Sequence, residues 1–103
     1  MHYIVKGGIT LINKTDYVTN AINVLGDTSL VICMEECSEL TKELSKHIRG
    51  KGNYDNTCEE IADVLLTIEW AIEKLNLNQK DIEYWKNKKK ARIVELISKG
   101  ELR

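Results

Sequence analysis

At 103 residues the chain has the length of one domain. Its 43% hydrophobic and 30% charged residues exclude a disordered segment. A net charge of −1 exerts no general pull toward nucleic acid or an anionic membrane surface. No apolar stretch is long enough to cross a bilayer, and Met1-His2-Tyr3-Ile4-Val5-Lys6 does not read as a signal peptide. The three cysteines, Cys33, Cys37 and Cys58, make neither a disulfide framework nor a Cys-x-x-Cys zinc pattern. Reduced structural thiols in a cytoplasmic chain are the expectation, with Cys33 and Cys37 side by side in a core. Charge is unevenly distributed: carboxylates dominate residues 35 to 69 and Lys/Arg dominate residues 86 to 92.

No proline interrupts the chain, so nothing obstructs long helices. Residues 3 to 12, β-branched around Gly7-Gly8, read as a short hairpin. Thr15 and Asp16 then cap a short helix ending near Gly26. Asp27, Thr28 or Ser29 caps a second helix, about 28–49, which Gly50 and Gly52 stop. A polar loop covers 50 to 56. Thr57 with Glu60 three residues on reads as a capping box, opening a third helix over about 57–75. Asn76 to Asn78 make a turn. A fourth, basic helix runs over about 79–98 and ends before Gly100. Four helices with short connections predict an all-α, antiparallel four-helix bundle, one domain over 1–103.

The chemistry concentrates on the two central helices. The second carries Glu35-Glu36-Cys37-Ser38-Glu39 and the third Glu60-Ile61-Ala62-Asp63. Each holds acids at i, i+3, which share a helix face. On the second helix Leu30, Cys33, Cys37, Leu40, Leu44 and Ile48 form an apolar stripe. Glu36 and Glu39 lie on its flank with Ile32 and Glu43, and Glu35 points toward solvent. On the third, Ile61, Val64, Leu65, Ile68, Ala71, Ile72 and Leu75 form the stripe. Glu60 and Asp63 sit at its edge, with Thr67 one turn on. Packed antiparallel, both acid pairs project into one space. Oxygen ligands there suit Mg²⁺, with Mn²⁺ as substitute, not zinc. The bland alternative is a solvated acidic face, but clustered carboxylates beside a core stripe repel one another, and a divalent cation relieves that cost.

On the fourth helix Ile82, Trp85, Ile93 and Leu96 define an inward stripe that also contains Lys86 and Lys89. A lysine there bridges to a carboxylate, reaches a bound phosphate, or snorkels. Lys88, Lys90 and Arg92 point elsewhere and read as a solvated face. Arg49 and Lys51, in the glycine loop, are further phosphate candidates. Trp70, on the side of Asp63, is a candidate to stack on a base or to anchor a dimer interface, and Tyr3 and Tyr17 are further base candidates.

Over roughly residues 15 to 98 the chain resembles the MazG-like, all-α nucleoside triphosphate pyrophosphohydrolases, which include the dimeric dUTPases. Their signature is E-E-x-x-E, a variable spacer, then E-x-x-D. Here it reads Glu35-Glu36-Cys37-Ser38-Glu39, a spacer of about twenty residues, and Glu60-Ile61-Ala62-Asp63. MEECSELTKEL and EEIADVLLTIEW are similar to the two central helices of the family, and Trp85-Lys86-Asn87-Lys88-Lys89 to its basic helix. The N-terminal segment lies outside the pattern. The resemblance implies Mg²⁺ held by Glu36, Glu39, Glu60 and Asp63, with a nucleoside triphosphate cleaved to monophosphate and pyrophosphate. It implies Glu36 or Glu39 as acceptor of the water's proton, Glu35 in a supporting role, and a homodimer or homotetramer. A ferritin-like di-metal protein would need Glu-x-x-His pairs, which are absent. A non-catalytic helical interaction module of the same fold is the other reading. Nucleic-acid binding lacks a stacking platform.

Overall fold

The computed structural model describes residues 14–103, with side chains from Tyr17 onward. Four helices account for the regular structure: α1 (Lys14–Leu25), α2 (Thr28–Ile48), α3 (Tyr54–Lys74) and α4 (Gln79–Ser98). No strand occurs among the described residues, so this part of the chain is all-α. The hairpin expected over 3–12, and Tyr3 with it, lie outside the described residues.

Helix boundaries follow local punctuation. The connection between α2 and α3 turns at Gly50, whose φ of +73° is left-handed and cheap only for glycine. α3 begins three residues earlier than Thr57. Asn53, extended at φ −126° and ψ 126°, is its N-cap, and the Asn53 side chain accepts from the Asn56 N–H at 3.0 Å. The capping box expected at Thr57 and Glu60 does not form. Thr57 is already one turn into the helix and its hydroxyl donates back to the Asn53 carbonyl at 2.7 Å. α4 has the predicted limits. Asn78 caps it by accepting from the Lys80 N–H at 2.8 Å. Asp27, at the α2 N-cap, makes no side-chain capping bond; instead the Ser29 hydroxyl donates to the Gly26 carbonyl at 2.7 Å.

α2 and α3 make the most extensive contact, and α1 lies against both, more on α3. The pairs fall in opposite order along the two central helices. His47 Nε2 meets the Thr57 hydroxyl at 2.6 Å, and Glu36 meets Asp63 further up. The buried residues are Ser29, Ile32, Glu36 and Glu43 on α2, and Asp63, Thr67 and Trp70 on α3. Steps of three, four and seven are the spacing of a coiled-coil seam. At three of these seven positions, Glu36, Glu43 and Asp63, a carboxylate stands where leucine or isoleucine is usual. His47 pins the connecting loop as well as Thr57, because a side chain at Gly52 would run into its ring.

The apolar stripes face elsewhere. Ile32 and Trp70 are the only fully packed-away apolar residues among the described residues. On α2, Leu44 and Ile48 are exposed, and so are Ile61, Leu65 and Ile68 on α3 and Leu75 just after it. Cys33 is half-buried, and Cys37 and Cys58 are exposed, so the two neighbouring thiols do not lie in a core of this chain. The face that hydrophobic periodicity marks as core is therefore not the face that α2 and α3 bury against each other. α4 has only slight contact with the other three helices, and Trp85 and Ile93 on its predicted inward stripe are exposed. The radius of gyration is 17.1 Å, against about 13 Å for a compact domain of 100 residues.

Candidate metal centre

At mid-seam Glu36, Glu60 and Asp63 each offer a carboxylate oxygen, all within 4.8 Å of one another. Glu36 is 7% exposed, Asp63 is 8% exposed and Glu60 is half-buried. Helix geometry creates this grouping. Glu36 follows Ile32 by one turn on the buried face of α2, and Asp63 precedes Thr67 by one turn on α3. Thr67 is fully buried and spends its hydroxyl on its own helix, donating to the Asp63 carbonyl at 2.8 Å. It therefore needs no hydrogen-bond partner across the seam.

The electrostatics are those of crowded carboxylates. Burial raises the Glu36 pKa above its ordinary value. The charge of Asp63, a hydrogen bond to the Asp63 carboxyl that favours the protonated form, and the charge of Glu60 raise it further. Burial likewise raises Glu60, followed by the charges of Asp63, Glu39 and Glu59. The Glu60 Oε2 atom is buried with no hydrogen-bond partner. Three carboxylates, one with an orphaned oxygen, form an all-oxygen donor set. They can share a proton or hold a hard divalent cation, and they fit Mg²⁺ or Mn²⁺.

Not every residue expected at the site meets there. Glu39 turns outward, its side chain 50% exposed, and accepts from Lys42 at 3.2 Å. Its charge reaches Glu60, but it is not one of the three clustered groups. Glu35 is exposed, as its angle predicts. Lys86 pairs with Glu83 on its own helix at 3.4 Å, and with α4 standing off the central pair neither Lys86 nor Lys89 is brought to the acids. Arg49 donates through Nε to the Ser45 carbonyl at 3.3 Å and Lys51 is exposed. At 1.5 Å per residue, the Arg49 backbone lies about 20 Å from that of Glu36 along α2. Trp70 is 4% exposed, and its indole N–H donates to the Tyr17 hydroxyl at 3.0 Å. The two rings meet edge-on with centroids 6.3 Å apart. Burial, ahead of the opposing Trp70 hydrogen bond, raises the Tyr17 pKa. Sequence reasoning placed Glu43 on the flank of Glu36 and Glu39 without assigning it to the site, yet it is among the most buried residues of the seam. The signal was there in its spacing, seven residues after Glu36.

Compared with protein-family models, with curated proteins and with solved structures, the chain matches none. No helix among the described residues is long and apolar enough to cross a membrane.

Proposed function

We propose that this chain is a Mg²⁺-dependent nucleoside triphosphate pyrophosphohydrolase of the MazG-like kind, acting in the cytoplasm on the α–β phosphoanhydride of dNTPs and related nucleotides. The observation that carries the reading is the buried group of Glu36, Glu60 and Asp63, in a seam where apolar side chains would be more stable. Carboxylates kept there at a cost in stability make sense as metal ligands. Glu36, Glu60 and Asp63 would hold the cation, and Glu39 would join them on release from Lys42. A bound Mg²⁺ supplies neutralisation of the triphosphate and a more acidic water. Glu36 or Glu39 would accept the water's proton.

The exposed stripes of α2 and α3 and the detached α4 support a homodimer or homotetramer, in which a second copy completes the antiparallel bundle. Such docking is also what would carry Lys86 and Lys89 toward a triphosphate. The same exposed faces favour the second reading, a helical interaction module without catalysis. The two part on one experiment. The full chain is incubated with each dNTP and Mg²⁺, and monophosphate, diphosphate, pyrophosphate and phosphate are quantified. Monophosphate and pyrophosphate in equal amounts, abolished by EDTA, are the expected products. Intact nucleotide throughout refutes the enzyme reading, and diphosphate with phosphate refutes the choice of bond.

A further inference from the structure

Two thiols on α2 have no part in the carboxylate centre. Cys33 and Cys37 stand one helical turn apart, at i and i+4, so they share a face. That face lies outside the seam: Cys33 is half-buried and Cys37 is exposed. The two thiols are hydrogen-bonded to each other. Met34, three residues before Cys37, is 69% exposed. Three sulfur atoms therefore stand within five consecutive residues on the open side of α2. Free cysteine behaves as a small apolar residue and is most often buried, so packing within the chain does not account for the pair.

A disulfide does not suit it either. Cβ atoms at i, i+4 on a helix are about 5–6 Å apart, while a disulfide needs about 3.5–4.5 Å. Closing one would distort the turn. A single atom set between the sulfurs removes that conflict. Metal–thiolate bonds of about 2.3 Å let two sulfurs stand up to about 4.6 Å apart while the helix stays regular.

Donor chemistry selects the ion. Thiolate and thioether sulfur are soft ligands that favour Cu(I), whereas Mg²⁺ and Mn²⁺ take oxygen. A structural zinc site needs four donors, more than Cys33, Cys37 and Met34 supply. Glu36 precedes Cys37 in the chain but is buried in the seam, so hard and soft donors occupy different sides of α2.

We propose that Cys33 and Cys37 bind one Cu(I) ion between their sulfurs, with the Met34 thioether as a weaker third donor. One Cu(I) and two thiols give a bis-thiolate complex and release two protons, with no change of oxidation state. The site stands whether or not the carboxylate centre is catalytic.

The test is a competition for copper. The full chain, reduced and under anaerobic conditions, is titrated with Cu(I) against the coloured chelator bicinchoninate. Wild type is expected to take one Cu(I) per chain. Cys33→Ser and Cys37→Ser lose that uptake, Cys58→Ser retains it, and Met34→Leu keeps the stoichiometry with weaker binding. The titration is repeated on Leu65→Lys, whose added charge on the apolar stripe of α3 keeps a second copy from hiding the thiols. No uptake by either wild type or Leu65→Lys overturns the site, as does full uptake by Cys33→Ser or Cys37→Ser. Unchanged affinity in Met34→Leu overturns the part of the thioether. Should a serine variant not fold, X-ray absorption at the copper edge of the loaded, unsubstituted thiol pair decides. Sulfur neighbours alone are expected there, and nitrogen or oxygen neighbours refute the assignment.

Discussion

Replacing Glu36 by glutamine keeps the side chain's shape and its ability to hydrogen-bond Asp63, and removes one charge from the cluster. At 4.8 Å, the outer limit for the ligand oxygens, two unit charges repel by about 3.5 kcal/mol at an effective dielectric near 20 and about 0.9 kcal/mol in bulk water. Glu36 has two such neighbours, so full ionisation would set a relief of about 2–7 kcal/mol. Glu60 is only half-buried and leaves the cluster open to water on one side, so the gain lies at the lower end, about 2 kcal/mol, or about 10 °C in Tm for a domain of this length. The assay is thermal unfolding at pH 7.5, followed by far-UV circular dichroism, in EDTA and in millimolar MgCl₂. In EDTA, Glu36→Gln melts above wild type. In Mg²⁺, wild type rises, because the ion binds only the folded chain, and the variant rises much less. A variant that melts lower in EDTA, or gains as much from Mg²⁺ as wild type, refutes the reasoning.

The pH dependence has a definite sign. Glu36 and Glu60 are raised from an ordinary value of 4.5, so without metal the folded chain binds protons more tightly than the unfolded one. Their contribution is full below about pH 4.5 and is lost as pH rises through their folded values. Tm in EDTA therefore falls with rising pH across that window, and Mg²⁺ flattens the slope; a Tm that rises there in EDTA contradicts the cluster. Leu65→Lys, on an exposed apolar stripe (Leu65 is 60% exposed), shifts the wild-type oligomer to a monomer in sedimentation velocity. A wild-type monomer at 11.8 kDa would remove the need for a partner. Across the four dNTPs, dUTP and their ribose counterparts, kcat/KM spreads by less than about a hundredfold, as expected without a dedicated polar base reader. One substrate ahead by several thousandfold refutes that.

Punctuation and spacing made the limits of α4 and the acid pairs legible, because Asn78, Gly100 and an i, i+3 repeat act locally. The start of α3 was misplaced because Thr57 and Glu60 imitate a capping box while Asn53, four residues earlier, forms the actual cap. Periodicity identified the apolar stripes but not what covers them. The stripe and the α2–α3 seam lie on adjacent faces, and only contacts between helices reveal that the acid-bearing face is the one buried within the chain. The outward turn of Glu39 follows from Lys42 three residues on, a pairing that a helical angle alone does not weigh. The burial of Trp70 depends on Tyr17, fifty-three residues away, and one sequence carries no sign of that pairing.

The most direct test of catalysis at this centre compares pyrophosphate release by Asp63→Asn and Glu35→Gln with wild type, using dNTP and Mg²⁺ and verifying helicity by circular dichroism. Asp63 lies in the buried cluster, and Glu35 is exposed outside it. Asp63→Asn keeps the volume and removes a ligand charge, and its kcat falls by about a thousandfold or more with unchanged helicity. Glu35→Gln retains activity within about tenfold of wild type. Full activity in Asp63→Asn, or an equal loss in both variants, would contradict the assignment of the chemistry to the buried carboxylates.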